Sequence, residues 1–278
     1  MSNLNKLSEL WQRVITALIG GTLILFCLAY NEWTYFGIFF LVCTLTMREF
    51  FKLLGINGNL PLKSYGTFLG LALYTISFCV EKKFVTDTSY YFLLIGLSST
   101  YMIKLYSKRD VKPFRSIAYT FLGILYVALP FSLMHKIVLI EQHYHFEILL
   151  GSLFIQWASD SGAYFSGRML GKHKLFERVS PKKTWEGSIG GAVCALLVSQ
   201  GCAYYWDILV NWQWAAIAGI IVVAGTYGDL VESLFKRSIK IKDSGHVLPG
   251  HGGFLDRFDS ILIAMPFIVA FVKIVVHP

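Results

Sequence analysis

Residues 212–231 read WQWAAIAGIIVVAGTYGDLV, and from Asp229 the chain turns polar through Glu232, Ser233, Lys236 and Arg237. A helix of twenty mostly apolar residues is roughly 30 Å long, the thickness of the hydrocarbon core of a bilayer. Working outward, stretches of the same kind recur at about 14–30, 34–54, 65–81, 88–106, 116–140, 146–167 and 185–206 on one side and 259–276 on the other. Nine spans are therefore expected, with no room for a soluble domain between them. The fold class this predicts is all-α, a polytopic integral membrane protein forming one membrane domain over residues 1–278. Within it, 1–145 reads as helical scaffold and 146–278 as the part that carries the chemistry.

Composition agrees. Of the 278 residues, 55% are hydrophobic and only 15% charged, and the mean hydropathy is +0.56. A soluble domain carries about 25% charged residues, so there is too little polar surface here to cover a water-soluble globule. The net charge of +8 could suggest a nucleic-acid partner, but the bases sit in short loops between apolar spans, which excludes that reading. Cys27, Cys43, Cys79, Cys194 and Cys202 all fall in apolar stretches without metal-ligand spacing and read as small core hydrophobes. The first span follows Lys6 and Arg13 as a signal peptide would, but no small-residue cleavage site follows Leu23-Ile24-Leu25-Phe26. That segment is expected to be retained.

The loops differ in charge. Of the 25 lysines and arginines, 21 lie in the N-terminus and in the loops around 48–64, 104–115, 168–183 and 232–258. The other four are Lys82, Lys83, Lys136 and Lys273. Positive charge is retained on the cytoplasmic side, so the N-terminus is expected inside and the C-terminus, after nine spans, outside. Lys240 and most bases of 104–115 read as topology determinants alone.

Two spans stand out for their acids, the sixth and the eighth. Asp160 lies eight residues before Arg168, roughly 12 Å along a helix and below the cytoplasmic surface. Ionisable groups at such depth cost several kcal/mol unless paired, hydrated or bound to metal, and so point to function. Asp229, Glu232, Ser233 and Lys236 stand at i, i+3, i+4 and i+7, one helix face. Asp256, Asp259 and Ser260 open the last span in the same manner. Between them, Pro249-Gly250-His251-Gly252-Gly253 is a glycine-rich link whose backbone N–H groups can approach an anion. Carboxylates and hydroxyls suit Mg²⁺, and the adjacent bases suit phosphate oxygens. Upstream, Ser180-Pro181 reads as the N-cap and first residue of a helix, with Lys182 and Lys183 beside its N-terminal N–H groups. Thr184 and Glu186 add polar groups there, and Gly187 and Gly191 fit a close helix–helix contact. Metal-assisted chemistry on phosphate is implied.

The run from Ser233 through Lys236-Arg237, Lys242-Asp243 and Leu248-Pro249-Gly250-His251-Gly252-Gly253-Phe254-Leu255-Asp256-Arg257-Phe258-Asp259 resembles the signature of the phosphatidate cytidylyltransferases. A second block is similar to the same family: Asp160 to Arg168, Gly171-Lys172, and Ser180 to Gly187. The likeness is strong over about 150–262 and faint before it. It implies an enzyme that condenses CTP with phosphatidic acid into CDP-diacylglycerol and pyrophosphate, in an inner (plasma) membrane and facing the cytoplasm. It further implies Asp229 and Asp256 as Mg²⁺ ligands, with Asp160, Asp259 and Lys236 in support. Ser180, Lys182, Lys183, Thr184, Glu186, Ser233, Arg237, Lys242, Asp243, His251, Gly252, Gly253 and Arg257 would hold substrate. A monovalent cation beside Mg²⁺ and a homodimer come with the resemblance and not with the residues. The alternatives are a cytidylyltransferase acting on another lipid phosphate or a CTP-dependent lipid kinase. A transporter would spread its acids through the bilayer depth, and these are clustered. Spans one to five carry no interpretable motif.

Overall fold

The computed structural model describes residues 2–56, 58–241, 244–245 and 252–276, and 78% of the chain is helical. The helices are α1 Ser2–Tyr30, α2 Glu32–Leu54, α3 Lys63–Glu81, α4 Tyr90–Leu105, α5 Pro113–Val138, α6 Glu147–Leu170, α7 Trp185–Tyr205, α8 Asn211–Ser238 and α9 Leu255–Val276. Each coincides with one of the stretches expected from the sequence. By length and composition, α5, α7, α8 and α9 are apolar enough to cross a membrane. α4, at 16 residues, falls short of the roughly 20 that a perpendicular span requires. The chain is thus all-α, with four helices suited to spanning among the described residues. Its outer faces are apolar: Phe92, Ile95, Leu197 and Ile274 are each exposed by 66–73% of their surface. Solvated proteins rarely present such faces over a wide area, whereas lipid accommodates them.

The chain divides into two compact units, Met1–Ser132 with Ile239–Arg257, and Leu133–Ser238 with Phe258–Pro278. In the first, α1 and α2 are joined by a tight turn. Asn31 Oδ1 accepts the N–H groups of Trp33 and Thr34 at 2.9 and 2.8 Å, and Thr34 Oγ1 accepts that of Asn31 at 3.2 Å. This reciprocal capping explains how the chain reverses without a glycine. Phe39, Phe50, Phe51, Tyr74, Phe78 and Phe131 fill the core.

The loop after α4 is built more elaborately than a topology signal requires. The Lys104 side chain, 3% exposed, reaches the Leu60 carbonyl and pairs with Asp110 at 2.6 Å. Lys104 is thus an exception among the bases of 104–115, most of which are expected to set topology alone. Once desolvated, an ammonium must be held by acceptors.

In the second unit α6 and α7 lie against each other. A Cβ on Gly191 would fall 2.7 Å from the Ser159 carbonyl oxygen, and one on Gly187 would fall 2.9 Å from that of Ala163. The close contact expected of these two glycines is present. Two small hairpins punctuate the helices. Strand β1 (Leu139–Ile140) pairs antiparallel with β2 (His143–Tyr144), turning on Glu141 and Gln142, both at positive φ. Strand β3 (Lys174–Phe176) pairs antiparallel with β4 (Ser180–Thr184), in register Lys174↔Thr184 and Phe176↔Ser180.

Burial raises the Asp110 carboxyl, but hydrogen bonds from Lys104, Ser116 and the Lys112 N–H outweigh it and hold the group below the usual carboxylate range. A depressed folded-state value stabilises the fold above the unfolded carboxyl's value, near pH 4, and the benefit is lost as pH falls through the folded value. Asp110→Asn, which removes the counter-charge of Lys104 and leaves it the Leu60 carbonyl, should lower stability at pH 7 by roughly 3 kcal/mol. The same variant should lose less of its melting temperature than wild type on acidification below about pH 4, as followed by thermal melting in detergent.

Candidate active site

Helix α8 changes character midway. Residues Ile221–Gly225 form a π-helical turn, and the regular helix resumes at Thr226. π-bulges re-aim the residues that follow them and are frequent at functional sites. Here the re-aimed residues are Asp229, Glu232, Ser233 and Lys236, on one face as the spacing predicts. Ser233 Oγ donates to Asp229 Oδ1 at 3.4 Å, and Lys236 Nζ pairs with Glu232 Oε2 at 2.5 Å. Gly228 lets α9 approach: a Cβ there would lie 2.6 Å from the Asp259 carbonyl oxygen. Asp259 is buried and accepts the Ser260 N–H at 2.6 Å.

The result is a knot of charge. One carboxylate oxygen from each of Asp229, Glu232 and Asp259 lies within 4.8 Å of the others. Like charges at about 5 Å repel by roughly 3 kcal/mol per pair at an effective dielectric constant near 20. Two lysines offset this. Lys236 holds Glu232, and Lys183 Nζ on β4 pairs with Asp229 Oδ2 at 2.7 Å while approaching the Thr226 carbonyl at 3.4 Å. Oxygen ligands so grouped fit a hard cation such as Mg²⁺. Asp160 stands exposed on α6, where Gln156 Nε2 donates to its Oδ1 at 3.1 Å. Its charge acts on Asp259 together with those of Asp229 and Lys236. The buried Gln156 was present in the sequence but not assigned a role there.

The block before α7 is a hairpin strand and not a helix start, which corrects the sequence reading. Ser180 and Pro181 lie in β4, and the helix begins five residues after Ser180, at Trp185. The capping group is Thr184, whose Oγ1 accepts the Gly187 N–H at 3.2 Å. Pro181 suits an N1 position, but pairing with β3 extends the chain through it, and Thr184 is the next hydroxyl able to cap. Lys182 is exposed on the same strand. Glu186 accepts the N–H groups of Lys172 and His173 at 3.1 and 3.2 Å and meets His173 Nδ1 at 2.6 Å. Its carboxylate thus fastens the loop before β3.

Asp256 belongs to the first unit, so the two acids expected to share a metal are described in separate units. Asp256 Oδ2 accepts the Ser244 N–H at 3.3 Å, the Ser244 hydroxyl at 2.8 Å and the Gly253 N–H at 3.1 Å. Gly252, at φ +81°, makes the turn that delivers the last of these. Within the glycine-rich link, the Gly253 N–H is directed at the chain's own Asp256 carboxylate. Arg237 and Arg257 are exposed on α8 and α9. Lys242, Asp243 and His251 lie outside the described residues.

Residues 11–275 match the cytidylyltransferase family, nearly the whole chain. The chain belongs to that family. It is 33% identical over 257 residues to a phosphatidate cytidylyltransferase of Staphylococcus haemolyticus strain JCSC1435, an alignment covering 92% of this chain and 96% of the relative. It is 42% identical over 156 residues to the Staphylococcus aureus strain COL protein of the same name, covering 56% of this chain and 58% of that one. The chain thus matches little more than half the length of the S. aureus relatives. A Staphylococcus saprophyticus relative is 40% identical over the same length of alignment.

Thr184→Ala should lower stability by about 1 kcal/mol, the usual worth of an N-cap, whereas Ser180→Ala should change it by less than about half that. Chemical denaturation of the two variants in detergent checks the assignment of the cap.

Proposed function

We propose that the chain is a phosphatidate cytidylyltransferase of a cell inner (plasma) membrane. It joins CTP to phosphatidic acid and releases CDP-diacylglycerol and pyrophosphate. What carries the reading is the acid and lysine knot at Asp229, Glu232, Asp259, Lys183 and Lys236, in a chain of this family whose relatives bear that name.

A phosphate oxygen of the lipid attacks the α-phosphorus of CTP, and the bond from that phosphorus to the departing pyrophosphate breaks. The nucleophile is already anionic at neutral pH, so no strong base is required. The barrier is the approach of two anions, which positioned cations lower. Lys183 and Lys236 stand where they can exchange a carboxylate partner for a phosphate oxygen, and Arg237, Lys182 and Arg257 add charge from exposed positions. Asp229 and Asp256 are the proposed Mg²⁺ ligands, and Glu232 and Asp259 enrich the oxygen set around Asp229. Bound there, the ion would neutralise phosphate charge and polarise the α-phosphoryl group. Ser233, by its hydrogen bond, helps hold Asp229, and Asp160 is a further supporting acid. Ser180, Thr184, Glu186, Gly252 and Gly253 contribute by shaping the segments that border substrate, and Lys242, Asp243 and His251 remain proposed contacts. Nine spans with the N-terminus inside would set these groups on the cytoplasmic side, where CTP is found. A monovalent cation and a homodimer complete the proposal.

Purified protein in detergent, given phosphatidic acid, Mg²⁺ and CTP labelled at either the α- or the γ-phosphorus, should place only the α-label in lipid and release the γ-label as pyrophosphate. Lipid carrying the γ-label would instead identify a kinase. Asp229→Asn should cut the rate by at least about 10²–10³-fold, the scale for losing one preorganised charge contact, with membrane insertion intact.

A further inference from the structure

Glu49 sits on α2, in the half of the chain whose sequence offers no motif, and its side chain is buried, with the residue only 6% exposed. Both its oxygens are engaged by the segment leading into α9. Oε2 accepts the Phe254 N–H at 2.8 Å, and Oε1 meets the Ser244 hydroxyl. That hydroxyl also reaches Asp256 Oδ2 at 2.8 Å, beside the Gly253 N–H at 3.1 Å. The fit around Glu49 is close. A Cβ on Gly253 would lie 1.7 Å from Glu49 Oε1 and 2.2 Å from Ser244 Oγ, and one on Gly245 would lie 3.3 Å from Glu49 Cδ. All of these residues belong to the same unit.

The Ser244 hydroxyl has one proton and faces two carboxylate oxygens. That proton can be directed to Glu49 or to Asp256, so position 49 needs an acceptor for the Phe254 N–H at one atom and a hydrogen-bonding partner for the Ser244 hydroxyl at the other. A carboxamide offers an oxygen to the first and an N–H to the hydroxyl oxygen of the second, the hydroxyl proton then going to Asp256, and a methyl group offers neither.

We infer that Glu49 is a positioning residue for cytidylyl transfer, clamping Ser244, Gly253 and Phe254 so that the Asp256 carboxylate is held in one orientation. The inference rests on the reading above that Asp256 serves the reaction. Glu49 touches no reacting atom itself. It acts through three hydrogen bonds that converge on Asp256, and groups that orient a ligand in this way typically matter by 10–100-fold, at about the level of a ligand's outer partners.

The test compares Glu49→Ala, Glu49→Gln and Asp256→Asn as full-length purified proteins. Two quantities are measured: CDP-diacylglycerol formation, and amide hydrogen exchange in peptides covering residues 252–256. Glu49→Ala should lose roughly 10–100-fold in kcat/KM and expose the Gly253 and Phe254 amides to exchange. Glu49→Gln should keep those amides protected and retain activity within about threefold of wild type, because its amide reproduces both contacts. If Glu49→Ala keeps full activity, the inference is overturned. It is equally overturned if Glu49→Gln is as inactive as Glu49→Ala while its amides stay protected, for the charge would then be needed in the reaction itself. Should the alanine variant fail to fold, the glutamine variant decides alone. Near wild-type activity in Asp256→Asn would instead refute the underlying reading of Asp256, and so is distinguishable from failure of the clamp.

Discussion

Acids crowded together or withdrawn from water must be met by donors or cations, and that requirement organises the polar clusters around Asp229 and Asp256. In the second unit it draws Lys183 from a hairpin strand onto Asp229 and Lys236 onto Glu232, one helical turn away. In the first unit it brings backbone N–H groups and one serine hydroxyl onto Asp256 and Glu49. These are two ways of answering an acid's charge. Ion pairs leave cations beside the acids that a phosphate can recruit, whereas backbone donors fix an acid in place and give up no mobile charge.

The apolar remainder follows from the solvent. Backbone groups facing lipid must be satisfied within their own segment, so helices are the economical element. Once the side chains outside are indifferent to lipid, close approach decides the packing, as Gly187 and Gly191 against α6 show. Two irregular stretches border polar groups. The π turn at Ile221–Gly225 precedes the acids of α8, and the β3–β4 hairpin delivers Lys183.

Where one helix presents several groups, the sequence shows the arrangement directly. Asp229, Glu232, Ser233 and Lys236 share a face because helical periodicity alone places them there. Ser180-Pro181 reads as a helix start along the chain, but strand pairing with β3, a non-local event, overrides that pattern and leaves Thr184 as the cap. Lys104 looked like a topology charge because its partner Asp110 and the Leu60 carbonyl are brought to it only by folding of the loop. Glu49 carried no signal at all, as its partners are some two hundred residues away in the chain.

By itself the sequence determined the solvent, the helical class and the family, since those depend on composition, on apolar runs of bilayer length and on contiguous motifs. It also singled out candidate residues for the chemistry. Only the tertiary structure decided which of them meet: that Lys183 answers Asp229, that Thr184 and not Ser180 caps α7, and that an acid from α2 holds the segment before Asp256. The reason is physical. Periodicity fixes neighbours three and four residues apart, but the partner of a desolvated charge is whichever group packing brings within about 3 Å, and that distance has no trace along the chain.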